Sequence, residues 1–468
     1  MTRPLISMVF LSILLYACST APQWIYAVGA RSQPQVTTVY HASDFGAVGD
    51  ATTLNTRYLQ AAIDYCATRG GGRVELDTGV FLTGALYLKS NVELHIGEGV
   101  TLKAINRIED FPDTLTRVAG IEMIWPAAII NVVNQQNVAI TGGGVIDGNG
   151  QYLWDKYWSM RHDYDARGLR WIVDYDCKRV RSLLVSESEN VTVSGLTFLR
   201  AGFWTVQLVY SAYCTVQDVT IRNNVGDRGP STDGIDVDSS HHILIDGCDI
   251  DCNDDNICLK AGRDADGLRV NRPTEYVVIR NCIARKGAGL VTCGSETSGN
   301  IRHVYCSDSR ALGTGAALRI KSAITRGGTV EYIYMHNVLA DSVKSVLNCD
   351  MNWNPSYSYS KLPAEYEGKN IPDHWKVMLQ PVTPKQGMPQ FRNIYLSNIQ
   401  ANDADIFVHC EGMAQSVIRN IEMKDLNIQA RAAGNIRYTN NFRIIDGKLD
   451  ISDGSTIKET NNTNLFIE

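Results

Sequence analysis

Between Asp227 and Asp255 the chain carries nine acidic residues against one base, Arg228, and between Lys260 and Arg326 it carries twelve Lys or Arg against five acids. Carboxylates at that density cannot all ionise, because like charges a few ångströms apart raise the pKa of at least one of them. Asp233 precedes Asp254 by 21 residues, and Asp255 follows directly. If the chain winds in coils of about that length, all three share one surface, since successive parallel strands stack roughly 4.8 Å apart. One protonated acid beside ionised partners is what glycoside hydrolysis requires: an acid for the leaving oxygen, and a base for water or a nucleophile. A calcium site or a solvated acidic turn would use the same residue types. In the basic segment, Arg319 and Lys321 fall on one face of a strand with Ile320 turned inward. A guanidinium fork and a neighbouring ammonium suit a substrate bearing carboxylates, such as galacturonic acid units. Salt bridges to the acidic coils are the alternative use for the pair.

What could position these groups is visible in a short phrase that the chain restates from about residue 90 onward: NVAITGGGVI, NVTVSGLTF, CTVQDVTI, HILIDGCDI, YVVIRNCIA, NIYLSNIQA. Taking Asn190, Cys214, His242, Tyr276, His303, Tyr332, Asn393 and Asn420 as equivalent starts, the steps are 24, 28, 34, 27, 29, 61 and 27 residues. Each phrase alternates apolar and polar residues and reads as a strand, yet none has a partner across a tight turn. The strands therefore pair in parallel with their equivalents one coil later, which gives an all-β, single-domain, right-handed parallel β-helix. An antiparallel sandwich or propeller is the competing arrangement. Cys248 and Cys282 both lie six residues after their repeat starts, as stacked interior thiols would. Leu59 to Arg69 has helical periodicity and ends at Gly70-Gly71-Gly72, so a short N-terminal helix caps the open end of the stack. The 61-residue step holds an aromatic and Pro-rich excursion that should pack beside the coils.

With 468 residues, a formal net charge of −6 and 44% hydrophobic residues, the chain is not a disordered or collagen-like sequence. It has no general basic field for nucleic acid, so any anion must be met locally. One Arg precedes an apolar stretch from Leu5 to about Ala17, too short to cross a bilayer as a helix and read as an export signal over residues 1–17. Leu15-Tyr16-Ala17-Cys18 resembles a lipoprotein cleavage box, making Cys18 a candidate lipid anchor on a protein that is periplasmic or on the cell surface. The β-helix domain is placed at 36–468, as a monomer. Twelve cysteines give neither a disulfide framework nor paired CxxC metal ligands, and most are expected to be buried thiols.

FGAVGD at 45–50, GGGVIDGNGQYLW, STDGIDVDSS, NDD, GSETSG at 294–299 and RIK at 319–321, in that order, resemble the glycoside hydrolases of family 28, the polygalacturonases that degrade pectin. The resemblance implies hydrolysis with inversion, no metal or other cofactor, and a pectic polysaccharide or oligogalacturonide as partner. It assigns Asp254 as general acid, Asp233 and Asp255 as the pair activating water, and Arg319 and Lys321 as ligands of the substrate carboxylate. Ser231 and Asn253 depart mildly from the family motifs. Ala288 departs more seriously, standing in GAGLVTCGSE where the family has the His of a GHG motif. That change raises rhamnogalacturonan as an alternative substrate and a non-catalytic polysaccharide-binding β-helix as an alternative function. His241, His242 or Lys286 are the neighbours that could compensate. A calcium-dependent pectate lyase is the rival enzyme class. The segment Gly262 to Pro273 resembles exo-acting bacterial members, with Arg263, Arg269 and Arg272 as candidate ligands of a terminal sugar. Trp154, Trp158, Trp204 and Trp353 could stack on sugar faces or fill space between loops and barrel.

Overall fold

A computed structural model of the chain describes residues 21–468, so the export signal and Cys18 lie outside the described residues. Thirty-two strands form one continuous sheet in which pairing runs from each coil to the next, in parallel. The architecture is a right-handed parallel β-helix. On the face that carries the acidic motif, Ile235 aligns with Ile257, Ile257 with Val291, Val291 with Leu318, and Leu318 with Leu347. All five point inward and are 0% exposed, stacking branched aliphatic side chains into one column of the core. The helix Thr56–Thr68 buries Leu59, Ala62, Ile63 and Cys66 against the first coil, as the capping reading expects.

One corner of each coil explains the recurring phrase. Asn190, His242, Tyr276, His303, Tyr332, Asn393 and Asn420 all adopt left-handed backbone, with φ of 54° to 58°. Asn tolerates that region best, and its amide bonds the next Asn up the stack, as Asn420 does to Asn393 at 2.9 Å. In the middle coils aromatic rings replace the amides: Tyr276 stacks on His303 at 4.9 Å and His303 on Tyr332 at 5.0 Å. The second equivalent is Tyr213, φ 51°, rather than Cys214, because the register aligns Ala212 with His241. The N-terminal segment lies over this aromatic column, with Trp24 edge-on to Tyr276 and Arg31 3.4 Å above the Tyr213 ring. The bend also brings Nδ1 of His241 within 2.9 Å of Nδ1 of His242. The two rings therefore touch, whereas neighbours on a straight strand point to opposite faces.

All eleven cysteines among the described residues are free and buried. Three insertions leave the barrel on one side: a hairpin, Asp113–Val118 with Ile121–Pro126; the helix Gln151–Ala166 and the turn after it; and residues 353–387 within the 61-residue step. Neither the hairpin nor the long helix is anticipated by the repeat pattern, since both interrupt it. They share a second apolar core that includes Trp125, Trp171, Phe203, Trp375 and Met378. No described helix is long and apolar enough to cross a membrane.

Candidate active site

Asp233 precedes the strand Ile235–Asp238, and Asp254-Asp255 precede the next strand up, Ile257–Lys260. A register offset of 22 residues sets Asp233 against Asp255, and the backbones are tied by Gly234 N–H donating to the Asp255 carbonyl at 3.0 Å. Gly234 is obligatory: a Cβ there would lie 2.4 Å from the Asn256 carbonyl oxygen. Asp233, Asp254 and Asp255 line one pocket together with Lys260, Glu296 and Lys321. Asp233 and Asp255 are buried, whereas Asp254 is partly open to the pocket.

Lys321 Nζ lies 2.8 Å from Asp255 Oδ2 and Arg319 Nη1 3.3 Å from Oδ1, while Thr292 donates to Oδ1 at 2.8 Å. Burial alone would raise the Asp255 pKa, but the two cations overcome it and hold this carboxyl well below the usual range. Asp254 is pushed upward by burial and by the Asp255 charge beside it. Asp233 is pushed far upward by burial, then by the charges of Asp236 and Asp254. The pocket thus holds one firmly ionised carboxylate next to carboxyls that retain protons to higher pH.

Asp236, Lys260 and Glu296, which surround these carboxylates, were not singled out from the sequence. Asp236 is fully buried, neither of its oxygens has a hydrogen-bond partner, and burial raises its pKa to about 7. Lys260 Nζ sits 3.4 Å from both Asp233 Oδ2 and Asp236 Oδ1, and 3.7 Å from Glu296 Oε2. The signal was present in strand alternation, because Asp236 and Lys260 point to the same face as Arg319. One Asp233 oxygen, one Asp255 oxygen and the Cys258 sulfur fall within 4.8 Å of one another, as metal ligands might be spaced. The Lys260 ammonium stands 3.1 Å from that sulfur and so already supplies positive charge there.

Other expectations are corrected. Arg263 is fully buried and bonds Tyr175 Oη at 2.8 Å and the Tyr357 carbonyl at 2.7 Å. Arg269 is held by Asp266 and Glu122, and Arg272 by Glu187. None of the three lines the pocket; Asp264–Val270 is a helix that braces the hairpin, with Arg263 N–H on the Gly120 carbonyl at 2.9 Å. His241, His242 and Lys286 do not line the pocket; Lys286 pairs with Asp227 on the surface. Ala288 touches the site only through its backbone N–H, which donates to the Asp254 carbonyl at 2.9 Å. Of the tryptophans, Trp204 and Trp353 line the pocket. Trp154 instead donates its indole N–H to Ala201, and Trp158 to Arg228.

The surroundings of the pocket are lopsided. Toward the N-terminal coils the face continues through Gln207 and Leu184, both buried, Gln207 beneath the hairpin and Leu184 beside Ala128 and Val209. Gln207 Nε2 donates to the Arg117 carbonyl at 3.2 Å, and Arg117 itself bonds Ser239 at 2.7 Å. Toward the C-terminal coils the face runs through Arg319, Asn348, His409 and Asn435, all partly exposed. The groove is closed on one side and open on the other.

The protein is a parallel β-helix whose groove holds a cluster of carboxylates among lysines and arginines. The sequence model of glycosyl hydrolases family 28 matches residues 66–371, and the chain belongs to that family. It is 32% identical over 312 residues to a probable polygalacturonase of Vitis vinifera, covering 64% of this chain and 60% of that protein. An exo-poly-alpha-D-galacturonosidase of Dickeya chrysanthemi is 28% identical over 393 residues, covering 73% of this chain and 64% of the relative. The chain thus spans under two thirds of the length of these two relatives. The crystal structure of a hyperthermoactive exopolygalacturonase from Thermotoga maritima superposes with a TM-score of 0.72 at 26% identity, covering 93% of this chain and 94% of that one.

Proposed function

We propose that the protein is an inverting glycoside hydrolase that removes galacturonate from the non-reducing ends of pectic chains. The observation that carries this reading is the lopsided groove: acids at its inner end, the hairpin beyond them, and an open run of polar side chains past Arg319. Asp254, the most accessible of the three and raised in pKa, donates its proton to the glycosidic oxygen as the bond from the anomeric carbon breaks. Asp255, kept ionised by Lys321 and Arg319, takes the proton of a water that attacks the opposite face of that carbon, with Asp233 orienting the water. Exchange with solvent then restores both groups. Lys260, bridging Asp233, Asp236 and Glu296, organises the charge around the acids in a chain that has Ala288 in place of the His of the family motif.

A second reading concerns the polymer. Next to Lys321 the open face carries Asp350 and then Glu411, the latter paired with Arg437 at 3.5 Å; Asp350 beside Lys321 disfavours a further uronate there and suits a backbone alternating with neutral sugar, as in rhamnogalacturonan. Product analysis on polygalacturonate and on rhamnogalacturonan, with Asp254→Asn as control, tests both. Galacturonic acid as the first product supports the main reading, and activity confined to rhamnogalacturonan supports the second. A ladder of oligomers at early times, an unsaturated ultraviolet-absorbing product, or no turnover on either polymer would overturn the proposal. We also infer export as a lipid-anchored monomer, from residues 1–17 and Cys18. Fatty-acid labelling that persists in Cys18→Ser would contradict the anchor, and the mass of the purified protein by light scattering tests the monomer.

A further inference from the structure

We infer that Arg170 is a binding residue for the carboxylate of the terminal sugar inside the closed end of the groove, a role that rests on the proposed uronate substrate. Arg170 lies in the turn between the helices Gln151–Ala166 and Val173–Asp176, outside every motif of the repeats. It nevertheless lines the same pocket as Asp233 and Asp254. Of the other cations there, Lys321 shares Asp255 with Arg319, and Lys260 lies among Asp233, Asp236 and Glu296. In the wall that carries Arg170 a carboxylate is shared in the same way. Arg170 Nη1 meets Asp174 Oδ2 at 2.6 Å, but the other oxygen of that carboxylate is taken by Arg179 Nη2 at 3.2 Å. Two guanidiniums share one carboxylate, which leaves about one net positive charge in a largely buried wall.

Arg179 is fully buried, spends Nη1 on the Pro230 carbonyl at 2.7 Å, and lies over the Tyr157 ring. It cannot reach substrate. Arg170 keeps 16% of its side chain exposed, packs 4.9 Å from the Tyr357 ring centroid, and bonds Asp174 through Nη1. A largely buried guanidinium that shares its counter-ion gains from a second anion, and its planar fork matches a carboxylate. Ser231, which departs from the family's Asn, belongs to the same wall and donates to Asp174 Oδ1 at 3.2 Å. The departure thereby helps to orient Asp174, which in turn fixes Arg170.

The test compares wild type, Arg170→Gln and Arg170→Lys on two oligosaccharides that differ only in the non-reducing terminal unit: galacturonate, or galactose made by reducing its carboxyl. Loss of one charge-assisted contact should lower kcat/KM of Arg170→Gln on the acidic substrate roughly 10- to 100-fold. On the neutral-ended substrate the variant should stay within about threefold of wild type, and Arg170→Lys should recover part of the loss. An equal loss on both substrates would mean that Arg170 only shapes the pocket, and no loss on either would remove it from the site; both overturn the inference. Calorimetric binding of galacturonate against galactose by the same proteins reads the preference without turnover. A wild type that turns over neither substrate yet prefers galacturonate, with the preference lost in Arg170→Gln, would sink the hydrolase reading and leave this one standing.

Discussion

Replacing Asp236 with Asn should flatten the dependence of stability on pH. Asp236 is fully buried, meets only the Lys260 ammonium at 3.4 Å, and has its pKa raised by burial from 3.8 to about 7. A carboxyl whose folded pKa exceeds its unfolded value contributes stability at low pH and loses it as pH rises through the folded value. The gap of about three units corresponds to about 4 kcal/mol lost between pH 4 and pH 7. Asn has nearly the same shape and does not titrate, so the variant lacks this loss. It also relieves Asp233, whose own upward shift owes its second-largest part to Asp236, which makes the difference between the proteins larger still. Guanidinium unfolding of both proteins at pH 4, 5.5 and 7 gives the two slopes. Parallel slopes would refute the reasoning, because they would mean that Asp236 ionises in the folded protein as readily as in the unfolded chain.

Two further outcomes follow from the same geometry. Lys321→Met removes the cation nearest to Asp255, so the Asp255 pKa should rise and the acidic limb of the kcat/KM profile should move to higher pH by about one unit or more; an unmoved limb would separate Asp255 from the base. Leu318→Ala, within the inward column and 0% exposed, should cost about 2–5 kcal/mol in unfolding experiments, and a loss below 1 kcal/mol would contradict tight stacking there.

The coils were legible because a parallel stack repeats its demands. Every coil needs an inward Val, Ile or Leu and a residue that accepts left-handed backbone, and Asn190, Asn393 and Asn420 announce that corner in the sequence. The aromatic corners are harder to read, since Tyr276 and His303 owe their place to stacking and to Trp24 from a distant segment. Asp233, Asp254, Asp255, Arg319 and Lys321 could be grouped from spacing and motif because they lie within four successive coils on one face. Asp236 and Lys260 lie on the same strands and needed only the two-residue alternation to be applied to them. Arg170 carried no signal. It comes from an insertion that breaks the period, and its place in the pocket follows from the shared core of Trp171, Phe203 and Trp375, which no local pattern encodes. The arginines of the segment after the acid pair misled for a related reason. Charge in a loop suggests a ligand until the packing shows, as with Arg263, that it is holding other loops together.

The hairpin that covers Gln207 leaves the groove with one mouth, and one mouth imposes an order of departure. If the pocket cuts as proposed, the inner fragment lies behind the outer one, so the outer chain must withdraw before the small fragment can escape. Each cleavage is then followed by complete emptying of the pocket. A long polymer cannot slide forward by one unit while staying bound, and successive cuts fall on chains chosen afresh from solution. The released monosaccharide also enters by the route the polymer uses, so it competes with each incoming end, and accumulated product should slow the reaction without damage to the protein.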